Sequence, residues 1–380
     1  MELEFTADQE ELRESVRAVL ARECPITLVR EVVEKGVSTD GLWRQLGQLD
    51  WPALTVPQDH GGMGFGMVEL AVLMEETGGA VTPGPLFPTL ALFVPAVREA
   101  GSSEQRDRFL RPVAERATTG TLAVAEERGS WDPSAVFAGA VRRDGLWQLS
   151  GTKRYVVEAD RVDEVVVAAR LEGTSEVGLF VVPAPDLEPA PIRTMDGSRR
   201  LCTVPLDGVV VAEDRLLRAA SGDVLRRVLD EATTALSLEL VGTCAAIFTI
   251  ALEYAKTREQ FGVKIGSFQA MKHKLADMYV ALEAARAAAY FAAAAVSEDD
   301  SRRSLAASMA KALAGDCERR IAQEGIQSLG GIGYTWEHDM HLYVKRAMGS
   351  AALLGTAEEH RRRVASLLGL STQGGADGDR

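Results

Sequence analysis

Two segments of the sequence combine residue types that could hold a phosphorylated ligand, and the first begins at Arg258. It reads Arg258-Glu259-Gln260-Phe261-Gly262 and lies between two strongly helical patterns. A guanidinium group forms bidentate, charge-assisted hydrogen bonds with phosphate oxygens, and glycine lets the backbone approach a ligand closely. These residues could therefore hold a diphosphate, but taken alone the pattern favours a surface ion pair at Arg258 followed by helix caps at Gly262 and Gly266.

The second segment is a glycine-rich stretch at residues 327–339 that contains Gly330, Gly331 and Gly333. Such glycines can belong to a dinucleotide-binding fingerprint, but that fingerprint follows a strand, and the residues before this stretch have a helical pattern. We expect instead a loop whose backbone meets a ligand or a second subunit. His338 and His341 lack a third ligand nearby, so we predict no metal site.

The elements that must position these segments fall into three compositional zones. Residues 1–117 show helical spacing, residues 118–222 show short β-branched runs separated by turn residues, and residues 223–370 return to long alanine-rich helical patterns. This order predicts a multidomain α+β fold: an N-terminal α-helical domain, a middle antiparallel β-sandwich or barrel domain, and a C-terminal four-helix-type bundle. Residues 371–380 are rich in glycine and aspartate, which predicts a flexible tail.

The overall composition restricts the classes of partner. The 380 residues are 46% hydrophobic and carry a formal net charge of −13, so the chain can bury a core but lacks the basic surface that nucleic acid or an anionic membrane requires. Its four cysteines are far apart in sequence and are expected to be reduced thiols. Without a leader pattern or an apolar run of about 18 residues, we expect no membrane span and a cytoplasmic location.

The helical–β–helical order and the two motifs together resemble the acyl-CoA dehydrogenase family. The motifs are Arg258-x-Gln260-Phe261-Gly262 with Phe268-Gln269, and Gln327-x-x-Gly330-Gly331, and the resemblance extends over residues 5–364. It implies a flavoenzyme that holds FAD between the sheet domain, the bundle and a neighbouring subunit. A dimer is then the minimum unit.

The resemblance also implies cofactor-binding roles for particular residues. Arg258 would pair with the FAD diphosphate, Gln327 and Gly331 would reach the FAD of the facing subunit, and Tyr155 would flank the isoalloxazine ring. The full set that the resemblance implies for FAD binding is Val124, Ser130, Tyr155, Val157, Arg258, Gln260, Phe261, Phe268, Gln269, Gln327, Gly330, Gly331 and Thr356.

The implied reaction is α,β-dehydrogenation of an acyl-CoA or acyl-carrier thioester, with electrons passed on to an electron-transfer flavoprotein. A base must remove the α-proton, yet Leu354 stands where the family usually has a carboxylate. Some relatives place the base on the helix before Arg258, at the position of Ala232 here. Glu231 lies about 100° around that helix, and Glu239 shares the face of Ala232 about 10 Å along the axis. The catalytic base could be Glu231, Glu239 or neither.

Further departures from the family pattern keep two alternative functions open. The family's Thr-Glu-Pro-x-x-Gly-Ser-Asp is replaced by residues 125–132, which end in Ser130-Trp131-Asp132, and the threonine expected near flavin N5 is absent. One alternative is a base-less accessory subunit that pairs with a paralogous chain, and the other is a flavin monooxygenase on the same fold. The Trp336-Glu337-His338-Asp339 loop and Glu359-His360-Arg361 resemble members that degrade steroid side chains or similar bulky acids.

Overall fold

The computed structural model describes residues 5–370; the predicted tail at 371–380 lies outside the described residues. The N-terminal region is helical, as its sequence pattern predicts. Its first helix begins after Thr6, whose hydroxyl accepts a hydrogen bond from the Gln9 backbone N–H at 3.3 Å. The helices of this region are α1 (Ala7–Glu23), α2 (Ile26–Lys35), α3 (Asp40–Gln48), α4 (Met67–Gly79), α5 (Leu86–Pro88), α6 (Val94–Ala100) and α7 (Ser103–Ala114).

The middle region consists of two sheets. A six-stranded sheet has the order β1-β5-β2-β3-β9, with β6 also paired to β5, and a three-stranded sheet has the order β4-β8-β7. The strands are β1 (Gly120–Ala123), β2 (Gly139–Arg143), β3 (Leu146–Ser150), β4 (Thr152–Val157), β5 (Glu164–Leu171), β6 (Val177–Pro183), β7 (Ala190–Ile192), β8 (Leu201–Pro205) and β9 (Val210–Ala212). Buried side chains from these strands form a core of their own.

The expectation of a purely antiparallel domain is wrong, because β5 pairs in parallel with both β1 and β2. Parallel neighbours need a long connection, and residues 124–163 provide one between β1 and β5. Alternating hydrophobicity reports which residues face the core but not the direction of the neighbouring strand. The short strand β7 has no β-branched run in the sequence that would predict it. Its residues are mostly exposed and include Pro191.

The C-terminal region is a bundle of long helices. Its elements are α8 (Gly222–Thr257), a hairpin of β10 (Glu259–Gln260) and β11 (Val263–Lys264), α9 (Gln269–Ser297), α10 (Arg303–Leu329), α11 (Met340–Ala352) and α12 (Ala357–Leu367). Helix α4 packs directly on α8 through two glycines. A Cβ atom at Gly78 would lie 1.9 Å from the Glu239 carbonyl oxygen, and one at Gly242 would lie 1.8 Å from that of Glu75. The N-terminal domain and the bundle therefore share one core.

Helices α8 and α9 are long and apolar enough to cross a membrane by length and composition alone. In this fold, 67% of the most apolar stretch of α8 is buried inside the protein. That burial is what the core helix of a bundle requires. All four cysteines, Cys24, Cys202, Cys244 and Cys317, lie in the described region and are buried free thiols.

Candidate active site between the sheet domain and the bundle

The first of two neighbouring cavities lies between the loop after β1, helix α8 and helix α12. It has a volume of about 600 Å³. We call it the arginine cavity, because three guanidinium groups belong to its lining. The lining residues are Ser130, Trp131, Asp132, Pro133, Arg226, Leu229, Thr233, Leu354, Gly355, Glu359, His360, Arg362, Arg363, Ser366 and Leu367.

The second cavity lies between the sheet domain and helix α11 and has a volume of about 400 Å³. We call it the tyrosine cavity, after Tyr155. Both volumes fall in the range of small-molecule sites. The residues that line the tyrosine cavity are Gly129, Trp131, Tyr155, Thr194, Met195, Asp196, Arg199, Leu201, Lys345, Met348, Gly349, Ala352 and Leu353.

An irregularity in β4 directs Tyr155 toward its cavity. The pairing of β4 with β8 shifts register between Lys153 and Val156, and Tyr155 has a positive φ of 57°. Such a bulge re-aims a side chain relative to the regular pleat, and Tyr155 is 38% exposed as a result. The predicted flavin neighbours Val124 and Val157 are each only 1% exposed and line neither cavity.

Leu354 lies in the tight turn between α11 and α12, beside the arginine cavity. It has a positive φ of 59°, and Gly355 follows with a φ of 101°. Two buried basic side chains hold the carbonyl groups of this turn. Lys311 Nζ donates to the carbonyl oxygens of Ala351 at 2.7 Å and of Gly355 at 2.8 Å. His360 Nε2 lies 2.9 Å from the Leu354 carbonyl oxygen.

Burial controls the protonation of both basic groups. It lowers the pKa of Lys311 to about 7 and the pKa of His360 to about 4. His360 is therefore neutral at pH 7, and its hydrogen bond to the carbonyl places the ring proton on Nε2. Thr356 starts α12: its hydroxyl accepts from the Glu359 backbone N–H, and the Glu359 carboxylate accepts from the Thr356 N–H at 2.7 Å.

Glu239 is enclosed in a network of charges rather than exposed to a cavity. Both of its oxygens accept hydrogen bonds from Arg199, at 2.6 and 2.5 Å, and one also accepts from Arg346 at 3.0 Å. Arg346 in turn donates to Asp196 at 3.0 Å and to Ser198. Because both carboxylate oxygens are committed to guanidinium groups, this geometry counts against Glu239 as the base.

Glu231 is similarly occupied. It is 4% exposed, and its carboxylate accepts a hydrogen bond from Arg98 at 2.5 Å. It lines neither the arginine nor the tyrosine cavity. The carboxylates among the residues that line the arginine cavity are Asp132 and Glu359. The geometry therefore counts against Glu231 as well.

The Arg258 segment projects into solvent at the far end of α8. Within residues 5–370 the Arg258 side chain has no hydrogen-bond or ion-pair partner, which removes the surface ion pair as its explanation. Phe261 is 92% exposed and Phe268 is 41% exposed. Gln260 lies in the exposed β10–β11 hairpin, and Gln269 is the exposed first residue of α9.

The glycine-rich segment follows the end of α10, as the helical pattern before it predicts. Gln327 and Gly331 are exposed, and a Cβ atom added to either Gly330 or Gly331 would meet no atom within 4 Å.

His341 stacks on Trp336 with ring centroids 4.3 Å apart. No group of three or more potential metal-ligating side chains occurs in the part of the chain that the structure describes.

The predicted FAD residues form two separate groups within one chain. Tyr155, Ser130 and Thr356 lie at or next to the two cavities, whereas Arg258 lies 25 residues beyond Thr233 along α8, or about 37 Å. One chain alone therefore does not assemble the complete set. The residues fit a long dinucleotide if the exposed groups of one subunit complete the cavities of another.

Several side chains of this site have no local sequence signal. Lys311 lies in an alanine-rich helix, where a lysine is expected to be a solvated surface residue. The family-like tripeptide Glu359-His360-Arg361 assigns no role to His360, and Arg226, Arg362 and Arg363 resemble ordinary helix-surface charges. Their proximity results from the packing of α8, α10 and α12.

The fold consists of a helical domain, a mixed β domain and a helical bundle, which enclose two adjoining cavities. The chain belongs to the acyl-CoA dehydrogenase family. This family consists of flavin-dependent oxidoreductases. The family model for the acyl-CoA dehydrogenase N-terminal domain matches residues 6–117, and that for the C-terminal domain matches residues 222–368. These matches confirm the resemblance and the predicted fold class, except that the β domain contains parallel as well as antiparallel strand pairs.

Individual relatives cover nearly the whole chain. The acyl-CoA dehydrogenase IpdE2 of Mycolicibacterium smegmatis is 32% identical, across 95% of this chain and 98% of its own length. A variant of the Tcur3481–Tcur3483 steroid ACAD is 31% identical with a TM-score of 0.85, covering 95% of this chain and 98% of that one. The ChsE4–ChsE5 complex of Mycobacterium tuberculosis has the same fold, with a TM-score of 0.89, 24% identity and coverage of 98% and 100%.

Proposed function

We propose that this chain binds FAD at a site shared with a second subunit and catalyses α,β-dehydrogenation of an acyl-CoA or acyl-carrier thioester. The observation that carries the proposal is the pair of adjoining cavities with different chemistry. The guanidinium groups of the arginine cavity each pair with one carboxylate, on Asp132, Glu358 or Asp230, and keep further N–H donors for the phosphates of a thioester carrier. The tyrosine cavity offers an aromatic wall for a flat ring.

The reaction divides between the two cavities. The thioester carbonyl acidifies the Cα–H bond, a base takes that proton, and the Cβ–H bond breaks as a hydride leaves, so that a Cα=Cβ double bond forms. FAD, when bound, supplies the acceptor for the hydride and its electron pair. The chain's own residues hold the thioester against the Leu354 turn, and Trp131 and Leu353 give the tyrosine cavity apolar surface.

The shared cofactor site follows from the separation of the predicted residues. Arg258 would reach the diphosphate of a cofactor whose ring lies in the partner's tyrosine cavity, with Phe261, Phe268 and Gln269 close to its adenosine end. Gln327, Gly330 and Gly331 would contact the same cofactor. This arrangement is supported by the exposure of the aromatic residues and by the free space around the glycines in the single chain.

We further infer that the partner is either a second copy or a paralogous chain, that electrons pass to an electron-transfer flavoprotein, and that the protein works in the cytoplasm. The steroid acyl-CoA dehydrogenase among the relatives supports a bulky acyl group as substrate. Its name joins two designations, which supports a heteromeric assembly.

A second function, that of a base-less accessory subunit, is favoured by one specific observation. Leu354 occupies the position of the usual base, and the carboxylates of Glu231 and Glu239 are both paired with arginine. In that case Leu354→Glu should create dehydrogenation activity, because general-base catalysis contributes about 10²–10⁴-fold. The turn already has positive φ at residue 354, so glutamate adds no backbone strain beyond that of leucine. A wild type as active as this variant would reject the accessory role.

Titration of the purified full-length chain with FAD tests the proposed function, with absorbance and sedimentation recorded together. We expect yellow protein with the flavin spectrum of a bound ring, and an assembly of at least two chains. The titration is run with the chain alone and with its paralogous partner added. A protein that stays colourless under both conditions contradicts the proposal.

A further inference from the structure

A common wall separates the two cavities, and it is made of two short segments whose neighbouring residues face opposite sides. Ser130 and Leu354 line the arginine cavity, whereas Gly129 and Leu353 line the tyrosine cavity. Trp131 lines both. Because neighbouring residues of each segment border different cavities, the backbone of both segments lies within the wall. The Trp131 indole lies where the two cavities meet.

One half of this wall is fixed in place. The turn at residues 351–355 has three carbonyl groups held by the buried donors Lys311 and His360, at 2.7 to 2.9 Å. Both side chains are buried, so moving the turn would leave polar groups unpaired away from water. Leu353 and Leu354 are therefore unsuitable as the moving part.

The backbone of the other half is also held by hydrogen bonds. The Gly129 N–H donates to the Glu126 carbonyl at 2.8 Å, and the Asp132 N–H donates to the Ser130 hydroxyl at 3.2 Å. These turn contacts fix the chain on both sides of residue 131. Rotation of the Trp131 side chain disturbs neither of these hydrogen bonds.

The indole itself has no polar or aromatic tether among residues 5–370. It makes no hydrogen bond, ring stack or cation–π contact there, and it is partly buried by apolar packing alone. In contrast, the indole N–H groups of Trp147 and Trp336 donate to Glu213 and Glu34, at 2.9 and 2.7 Å. Rotation of Trp131 breaks no hydrogen bond, so it is the part of the wall that can open.

We propose that Trp131 is a specificity-determining residue, whose indole decides which acyl groups pass from the arginine cavity to the tyrosine cavity. This inference rests on the proposed function, which assigns the thioester to the first cavity and the flavin ring to the second. Hydride transfer needs Cβ and the flavin in contact, and the wall separates them. An acyl chain reaches the flavin only beside or past the indole, and a bulky one must displace it.

Tryptophan fluorescence gives a readout that does not depend on turnover. The emission of Trp131 is obtained as the difference between wild type and Trp131→Phe. We expect added FAD to quench this difference signal and added butyryl-CoA to change it separately. Trp43→Phe is the matched control, since Trp43 is also partly buried and untethered but borders neither cavity.

The specificity itself is measured with Trp131→Ala and two thioesters, butyryl-CoA and the fused-ring cholyl-CoA. We expect the ratio of cholyl-CoA to butyryl-CoA affinity, and the ratio of their flavin reduction rates, to rise by about tenfold or more, because a missing apolar group in a pocket discriminates by roughly 10- to 200-fold. A ratio unchanged from wild type overturns the proposal.

Different results would reject the role of Trp131 and the proposed dehydrogenase function. If FAD and butyryl-CoA both bind but leave the Trp131 emission unchanged, the indole does not lie between them and only this inference is rejected. If neither ligand binds, with or without a paralogous chain, the proposed function is rejected and the role of Trp131 is rejected with it.

Discussion

At the scale of single residues, the ion pairs of the buried carboxylates indicate a structural role rather than a catalytic one. Glu239 is 2% exposed and pairs with Arg199 and Arg346, of which Arg346 is 1% exposed. Asp196 pairs with Arg346 and supplies the second negative charge. A buried charge is tolerated only when it is paired and hydrogen-bonded. The network joins α8 and α11 to the loop before β8, which lines the tyrosine cavity through Asp196 and Arg199. Glu239 thereby supports the shape of that cavity.

Replacing Glu239 with glutamine should destabilise the fold rather than remove a catalytic base. Removing one partner of a buried ion pair costs about 3–5 kcal/mol, because the remaining charge stays buried without compensation. The free energy of unfolding from denaturant titration measures this loss. Glu253→Gln is the matched control on the same helix, since Glu253 pairs with Lys256 on the exposed surface. Unchanged stability with lost dehydrogenation would instead identify Glu239 as the base.

We expect His360, which contacts the Leu354 turn, to make the stability of the fold decrease at acidic pH. Burial holds its pKa at about 4, against about 6.5 in the unfolded chain. Lys311 and Arg363 lower this pKa further, and Glu359 opposes them. Between pH 6.5 and 4 the unfolded chain binds a proton that the folded chain does not, so acidification destabilises the fold. Above pH 6.5 this destabilisation is absent.

His360→Gln should therefore lose less stability on acidification than the wild type. Glutamine keeps an N–H donor for the Leu354 carbonyl but does not titrate. The free energy of unfolding should fall between pH 7 and pH 4.5 by about 2–3 kcal/mol less in the variant. His273→Gln, at an exposed position on α9, is the control and should behave as wild type. Identical pH dependence in wild type and His360→Gln would show that the fold does not lower the pKa of His360.

At the scale of elements, α8 carries residues of both groups that are predicted to bind ligands. Thr233 borders the arginine cavity near its start, and Arg258 caps its end about 37 Å away. Arg258 is the C-cap of α8 and is followed at once by the exposed β10–β11 hairpin. A helix this long can serve a cofactor in another subunit without any rearrangement of its own.

Arg258→Ala should weaken FAD binding and leave the fold unchanged. A charge-assisted contact to a diphosphate corresponds to roughly 10- to 150-fold in affinity. Titration of apoprotein with FAD measures the loss, and circular dichroism checks the helix. Lys256→Ala removes a neighbouring exposed cation that pairs with Glu253, and it should have little effect. Equal FAD affinity in both variants and wild type would exclude a cofactor role for Arg258.

The sequence predicted the elements better than the contacts between them. Helical spacing in residues 1–117 predicts the N-terminal helices, and β-branched runs in residues 118–222 predict a strand-rich middle region, although β7 carries no such run. Strand direction was missed, because alternation carries no information on the neighbour. Of the site, Tyr155 and Leu354 were located through family motifs. Lys311 and His360 were not assigned roles, since their partners are carbonyl groups distant in sequence and unrelated to side-chain pattern.

At the scale of the whole molecule, the single chain exposes groups that a globular surface normally hides. Phe261, Tyr334 and Trp336 are 92%, 75% and 52% exposed. Exposed aromatic groups beside open glycine backbone are typical of an interface. The same segments carry the residues expected to bind FAD, so assembly and cofactor binding should be lost together.

Gly331→Val tests this coupling. A side chain at residue 331 meets no atom of its own chain within 4 Å, so the fold should tolerate it. Against a partner or cofactor the β-branched group should be overpacked by about 1–3 kcal/mol, which is roughly 5- to 150-fold in both FAD affinity and dimer affinity. Gly41→Val is the control, because a side chain there is also unobstructed. A monomeric variant with full FAD occupancy would separate assembly from cofactor binding and refute the shared site.

Flavin-dependent oxidation of an acyl thioester is the reaction in which we propose that this chain takes part. Its most direct test is the absorbance of the FAD-loaded protein, alone and with its paralogous partner, during anaerobic addition of butyryl-CoA, cholyl-CoA and other saturated acyl-CoAs. We predict that at least one thioester bleaches the flavin band while an equal amount of the α,β-unsaturated thioester forms. A flavin that stays oxidised with every thioester, in the presence and absence of the partner, would contradict the account.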